Sequence, residues 1–245
     1  ADIFAGKGYD LLLASRNREK MEGIKKTIED RHEITVTTLS IDLAQPSSAH
    51  KVYEEATAHK LDVQVLVNNA GFAAAAEHVD LDVRKVEEMI QLNIITPTEL
   101  CSFFGGDMKK KKRGYILNVA STAAYQPTPY VAVYGATKSY VLSFSEALAK
   151  EFEDYNVVVT CLSPGPTNTN FFEVAGGRDI AEKQQGFWGK RNRMAAREVA
   201  EIGVGALFAK KLSVVAGNFN ALLVAGSRLA PRRIAASVSK KIMKK

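Results

Sequence analysis

Residues 114–138 read GYILNVASTAAYQPTPYVAVYGATK. Gly114 to Val119 is a short, almost wholly apolar run, as expected of a strand buried on both faces. Val131 to Glu153 follows with helical length and period. Tyr134 and Lys138 stand four apart within it, so both side chains share one helix face. Ser121 lies just past the strand. A hydroxyl leaving the carboxyl end of a parallel strand enters the crevice where such sheets bind ligands. An ammonium near a phenol favours the phenolate and lowers its pKa from roughly 10. That makes the phenol a usable acid or base nearer neutral pH. The pair alone decides nothing, because a chain of this composition holds on the order of one such Tyr–Lys spacing by chance.

Outward from this stretch the same pattern repeats. Tyr9 to Ala14, Ile34 to Leu39, Val63 to Val67 and Val157 to Leu162 also read as strands. Arg18 to Glu29, Ser47 to His59 and Val83 to Leu100 read as helices between them, with Pro46 and Ser47 opening one in the usual way. Strands repeatedly followed by helices imply an α/β chain, a parallel sheet covered on both faces. With 245 residues, 46% hydrophobic and 24% charged, the chain suits a single domain over 1–245. No apolar run has the length of a membrane span, and no leader peptide is readable. Cys101 and Cys161 lack metal-like spacing and are expected as free thiols in a reducing, cytoplasmic compartment, with a disulfide as the alternative.

The net charge of +6 is uneven. Residues 226–245 carry seven basic side chains and no acidic one, which leaves the remainder at −1. The excess therefore belongs to a tail and gives no reason to expect a nucleic-acid partner. Arg228 to Lys245 has the pattern of an amphipathic helix with Leu229, Ile234, Val238 and Ile242 on one side. Such a helix packs on its own body or a partner subunit, or lies on an anionic membrane. The Lys109–Arg113 run reads as a solvated helix end.

Further polar stations lie at strand ends. Asn68-Asn69-Ala70-Gly71 closes one strand, Ser163-Pro164-Gly165-Pro166-Thr167 follows another, and Asn93 falls inside a helix. In this order (NNAG at 68–71, Asn93, Ser121, YxxxK at 134–138, PG at 164–165) the chain resembles the short-chain dehydrogenase/reductase family over nearly its whole length. The resemblance implies a Rossmann-type, doubly wound, three-layer α/β/α fold with a seven-stranded sheet. It implies hydride transfer between a nicotinamide dinucleotide and a carbonyl or secondary alcohol. Tyr134 would be the acid/base, Ser121 would hydrogen-bond the reacting oxygen, and Lys138 would lower the Tyr134 pKa and bind ribose. Asn93 would hold a relay water. Asn69, Ala70, Gly71, Tyr134, Lys138, Pro164, Gly165 and Thr167 would contact the cofactor. A small-molecule substrate and a homo-oligomer are likewise implied; no metal is.

Ser15-Arg16-Asn17 follows the strand Tyr9 to Ala14 and lacks the acidic residue that binds a ribose diol. Arg16 suits a 2′-phosphate, so NADP(H) is expected, with Ser15 and Arg16 at the adenosine end. Asp42 matches the family's adenine-contacting aspartate, or else caps a local turn before Pro46. Asp2 to Lys7 reads as the last turns of a helix. The first strand and its glycine-rich turn are absent from this chain, and the natural sequence is expected to continue upstream by about 20–30 residues that contain them. Residues 167–195 fall where the family has a variable substrate lid. Phe171, Phe172, Phe187 and Trp188 there imply an apolar or bulky carbonyl, or anchor the lid. Two other readings stand beside the enzyme: a non-catalytic Rossmann protein for nucleotide sensing or partner binding, and an inactive fragment of a longer reductase.

Overall fold

The computed structural model describes residues 1–169, 171 and 193–244. Strands β1 (Leu11–Ser15), β2 (Val36–Ser40), β3 (Val65–Asn68), β4 (Gly114–Val119), β5 (Val157–Ser163) and β8 (Ser213–Val215) alternate with helices. The helices are α1 (Asp2–Ala5), α2 (Arg18–Glu29), α3 (Ser48–Ala58), α4 (Val83–Ile90), α5 (Thr96–Lys111), α6 (Ala132–Phe152), α7 (Ala196–Phe208), α8 (Asn218–Leu229) and α9 (Arg232–Lys244). A two-residue parallel pair joins β6 (Thr167–Asn168) to β7 (Met194–Ala195).

Every ladder is parallel. β3-β4-β5-β8 forms the central sheet, with Ile116 opposite Leu66 on one side and Val159 on the other. Alternate residues feed two cores, as the period of two requires. Ile116, Val157 and Val159 pack with Val52 of α3 and Leu100, Phe104 and Met108 of α5. Leu117 and Leu162 pack on the other face with Val199, Val204 and Leu207 of α7 and Phe4 of α1. This is the three-layer, doubly wound α/β arrangement.

The sheet is divided where the resemblance implied one seven-stranded surface. β1 and β2 pair with each other, and no backbone ladder joins β1 to β3 among the described residues. The two sheets nevertheless share both cores: Leu12 and Ala14 join the cluster that holds Leu66, and Leu11 joins the one against which Val65 packs. The edge that β3 turns toward β1 is looser, with Val67 at 39% exposure against 0% for Ile116 in β4.

Three local expectations change. The single helix over 83–100 is α4, a π-helical turn (Gln91–Ile95), and then α5, which runs on to Lys111. Ser47 precedes α3 with φ 60° and makes no side-chain cap; Ser48 Oγ instead donates to the Leu43 carbonyl at 3.0 Å. The tail is two helices. Pro231 lacks an N–H and forces Ala230 into extended backbone (ψ 140°), which ends α8. Lys111 and Arg113 at the end of α5 both reach Asp62 at 2.6 Å. Both cysteines are free and buried, with burial pushing the thiols up to about 12 (Cys101) and about 11 (Cys161). Among the described residues, no helix is long and apolar enough to cross a membrane. Of the aromatic lid residues, Phe172, Phe187 and Trp188 lie outside the described residues.

Candidate active site

Ser121, Tyr134 and Lys138 come from two elements and meet at one pocket. Ser121 follows β4 and opens a short 3-10 turn, Thr122–Tyr125, its Oγ accepting from Ala123 N–H at 3.1 Å. That capping bond fixes the hydroxyl at the carboxyl edge of the sheet. Tyr134 and Lys138 project from the first turns of α6. The Ser121 hydroxyl lies near enough to the Tyr134 phenol to favour its ionised form. The pocket, about 500 Å³, is also lined by Asn69, Ala70 and Gly71 after β3 and by Pro164 to Thr167 after β5. The strand-end stations thus converge on one crevice. Ser15, Arg16 and Asp42 do not line it; Asp42 lines a separate groove beside α3.

The titrations differ from the sequence expectation. Burial pushes the Tyr134 phenol up to about 12, opposed only by the Ser121 hydroxyl. Tyr134 is half-buried and lines the pocket. Burial likewise pushes the Lys138 ammonium down to about 8. Lys138 Nζ donates to the Val119 carbonyl at 2.8 Å and lies 5.9 Å from the Tyr134 ring centroid. Desolvation therefore outweighs the attraction that was to lower the phenol's pKa. In this structure the lysine serves the end of β4 and leaves the tyrosine a neutral proton donor at pH 7.

Asn93 sits in the π-helical turn, 1% exposed. The widened turn is what lets a polar side chain leave the helix inward. Its Oδ1 accepts from Phe72 N–H at 3.2 Å, and its Nδ2 donates to Phe72 O and Thr137 Oγ1, both at 3.0 Å. Asn93 thus clamps the NNAG turn to α6. Gly71 fits between them: a Cβ there would stand 2.9 Å from Asn93 Oδ1 and 3.4 Å from Lys138 Nζ. We expect Gly71→Ala to destabilise by about 1–3 kcal/mol through this overpacking and to depress kcat more than KM. Thermal melting with steady-state kinetics checks it; an unchanged Tm would refute the clamp.

Sequence reasoning missed the supporting polar layer. Asn68 Nδ2 donates to Asn118 Oδ1 at 2.8 Å, Asn118 Nδ2 to Ser145 Oγ at 2.9 Å, and Ser145 Oγ to Val141 O at 2.6 Å. This chain ties β3, β4 and α6 together beneath the site, and buried polar groups persist only when so satisfied. Asn118 in an apolar strand was the available signal. Asn220 was missed too: a Cβ at Gly165 would collide with its amide, which donates to Ala216 O at 2.7 Å.

Arg16 follows β1, exposed, and its guanidinium makes no ion pair among the described residues. Asp42 accepts from Ala44 N–H at 3.0 Å and Gln45 Nε2 at 3.3 Å, so its carboxylate closes its own turn. On the substrate side the Phe171 ring packs on Tyr134 at 5.6 Å between centroids. The pocket wall adds Ala73, Val131, Leu162 and Val199, together with Ser239 and Met243 of α9. Arg228 of α8 lies 4.9 Å over Tyr125, bracing the turn that carries Ser121.

A family profile described as short chain dehydrogenase matches residues 1–177. The chain therefore belongs to the short-chain dehydrogenase family and is an oxidoreductase with that family's Rossmann-type fold. It is similar to the NADP-dependent 3-hydroxy acid dehydrogenase of Schizosaccharomyces pombe, 30% identical over 207 residues, 84% of this chain and 80% of that protein. A solved 7beta-hydroxysteroid dehydrogenase superposes with a TM-score of 0.85 at 23% identity, over 96% of this chain and 89% of that one. A Sphingobium yanoikuyae short-chain dehydrogenase in complex with NADPH superposes at 0.79 and 24% identity, over 93% and 88%. The chain spans 48% to 61% of the length of five other curated relatives, among them very-long-chain 3-oxoacyl-CoA reductases.

Proposed function

We propose that this chain reduces an apolar carbonyl compound with NADPH, using Tyr134 as proton donor. The carrying observation is the meeting of Ser121, Tyr134 and Lys138 at one pocket. A reduced nicotinamide, when bound, supplies the hydride. The residues fit such a group: Gly71 offers a surface without a Cβ beside Lys138, and Arg16 offers an exposed cation, unpaired among the described residues, for a phosphate. Tyr134 gives its O–H proton to the carbonyl oxygen as a C–H bond forms at the carbonyl carbon, leaving a phenolate and an alcohol. Ser121 holds that oxygen and stabilises the charge developing on it. Lys138 steadies the phenolate until solvent reprotonates it, and a water beside Asn93 relays that proton. A phenol that burial raises to about 12 is protonated at neutral pH and can donate. The apolar wall of Ala73, Val131, Leu162, Val199 and Phe171 favours a substrate with a hydrocarbon body.

Preference for NADPH rests on Arg16 and on the lack of an acidic residue at 15–17. The names of the Schizosaccharomyces pombe relative and the Sphingobium yanoikuyae complex point the same way. Following NADPH oxidation against a panel of aldehydes and ketones tests the function. Cofactor binding without turnover across the panel would favour a non-catalytic nucleotide-binding protein instead. Arg16→Asp should weaken NADPH by about 10–100-fold, the worth of a charge-assisted hydrogen bond, with NADH little changed. Equal losses for both cofactors would show that Arg16 does not read the phosphate.

A further inference from the structure

The last two helices carry apolar surface that the rest of the described molecule leaves uncovered. Leu222 and Leu229 of α8 are 71% and 88% exposed, and Ile234 and Val238 of α9 are 55% and 51% exposed. Ala225 and Gly226, between the two leucines, face solvent as well. Leu222 and Leu229 are seven apart and Ile234 and Val238 four apart, so each pair lies along one side of its helix. Arg228, Arg232, Arg233, Lys240 and Lys241 are all exposed around them. No acidic residue occurs anywhere from Ile202 to Lys245.

α9 is nonetheless anchored. Ala235 and Ser239 on its other side are 7% and 4% exposed, and Ser239 and Met243 line the catalytic pocket. One side of this helix is pocket wall, and a neighbouring side is aliphatic and cationic surface.

We propose that the α8–α9 surface docks on an anionic lipid bilayer, lying in its interface. Helices of 12 and 13 residues span about 20 Å, too short to cross the hydrocarbon core. Large aliphatics beside cations, with no carboxylate to be repelled, match the headgroup boundary, where side chains bury in acyl chains and ammonium and guanidinium groups meet phosphates. A nucleic acid would satisfy the cations and leave the aliphatics in water. An acidic protein surface has no particular need of a cation-only rim. Docking in this way sets the Ser239–Met243 wall at the membrane and opens a route for an apolar substrate held in lipid. That last step rests on the proposed reductase reading; the docking does not.

The test is co-sedimentation of the full chain with phosphatidylcholine vesicles, with and without phosphatidylglycerol. Binding is expected only with the anionic lipid. Arg232→Gln with Arg233→Gln should weaken it by about 25-fold, taking about fivefold per cation near such a surface. Ile234→Ser with Val238→Ser should weaken it by about tenfold. Leu229→Ser, at a position almost free of packing, should weaken it without touching α9. Circular dichroism and turnover of a water-soluble carbonyl should be unchanged in all three. Vesicle binding that survives both serine variants would mark a plain polycation and overturn the proposal. Equal binding to neutral vesicles would overturn it. So would absence of vesicle binding with self-association that Ile234→Ser relieves, which assigns the surface to a second copy. Vesicle binding is read without turnover, so an inactive enzyme leaves this result intact.

Discussion

Tyr134→Phe should lower kcat by about 10²–10⁴-fold, the range that a positioned proton donor contributes, while NADPH binding stays within about twofold. The substitution deletes one oxygen. The ring, its packing on Phe171 at 5.6 Å and the fold of α6 keep their partners. Ser121 keeps its bond from Ala123 N–H. Loss of activity would therefore report the proton and not the scaffold. Fluorescence titration of NADPH alongside steady-state kinetics separates the two. Turnover within tenfold of wild type would remove Tyr134 from the chemistry.

Lys138→Met should abolish most activity and make the protein more stable at pH 7. The ammonium is 5% exposed, and burial holds its pKa at about 8 against 10.5 in an unfolded chain. Below pH 8 the lysine is charged in both states, and the folded state bears the full desolvation penalty. Between about 8 and 10.5 the unfolded chain binds more protons than the folded one, so stability rises with pH. Above 10.5 both are neutral and the penalty is gone. The difference of 2.5 pKa units corresponds to about 3 kcal/mol. Methionine removes that penalty and forfeits the hydrogen bond to Val119 O, about 1 kcal/mol. The net gain at pH 7 is about 2 kcal/mol; it falls above pH 8 and reverses sign before pH 10.5, where only the lost hydrogen bond of about 1 kcal/mol remains. Denaturant midpoints across pH 6.5–11 check the trend. A variant less stable at pH 7, or a difference that ignores pH, would refute a buried, strained ammonium. Retaining a destabilising lysine is the trade expected of a functional group.

Much of the site was legible because its residues sit where local pattern is strongest. Gly114–Val119 and Arg18–Glu29 occupy the bounds read from period and composition. The NNAG turn, Ser121, Tyr134, Lys138 and the Pro164–Thr167 turn all follow strands or open a helix, and a parallel sheet gathers such points at one edge. The π-helical turn at Asn93 was not legible, because Gln91–Ile95 has ordinary helix formers and the extra residue per turn arises from clamping Phe72 and Thr137. The Asn68–Asn118–Ser145 chain was not legible either, since its members are 27 to 50 residues apart. The break at Pro231 was visible in principle; the burial of Ser239 against the pocket was not.

Sequence alone determined the family, the parallel α/β order and the three residues that meet at the pocket. These rest on spacing along the chain, and a 3.6-residue helix or a two-residue strand period converts spacing into direction. Tertiary structure decided what those residues are. It turned Lys138 toward Val119, raised Tyr134 to about 12, made Asn93 a clamp and put one side of the basic tail into the pocket wall. The physical reason is desolvation: the state of a buried phenol or ammonium depends on how much water its neighbours exclude. Those neighbours arrive from distant parts of the chain only when it folds.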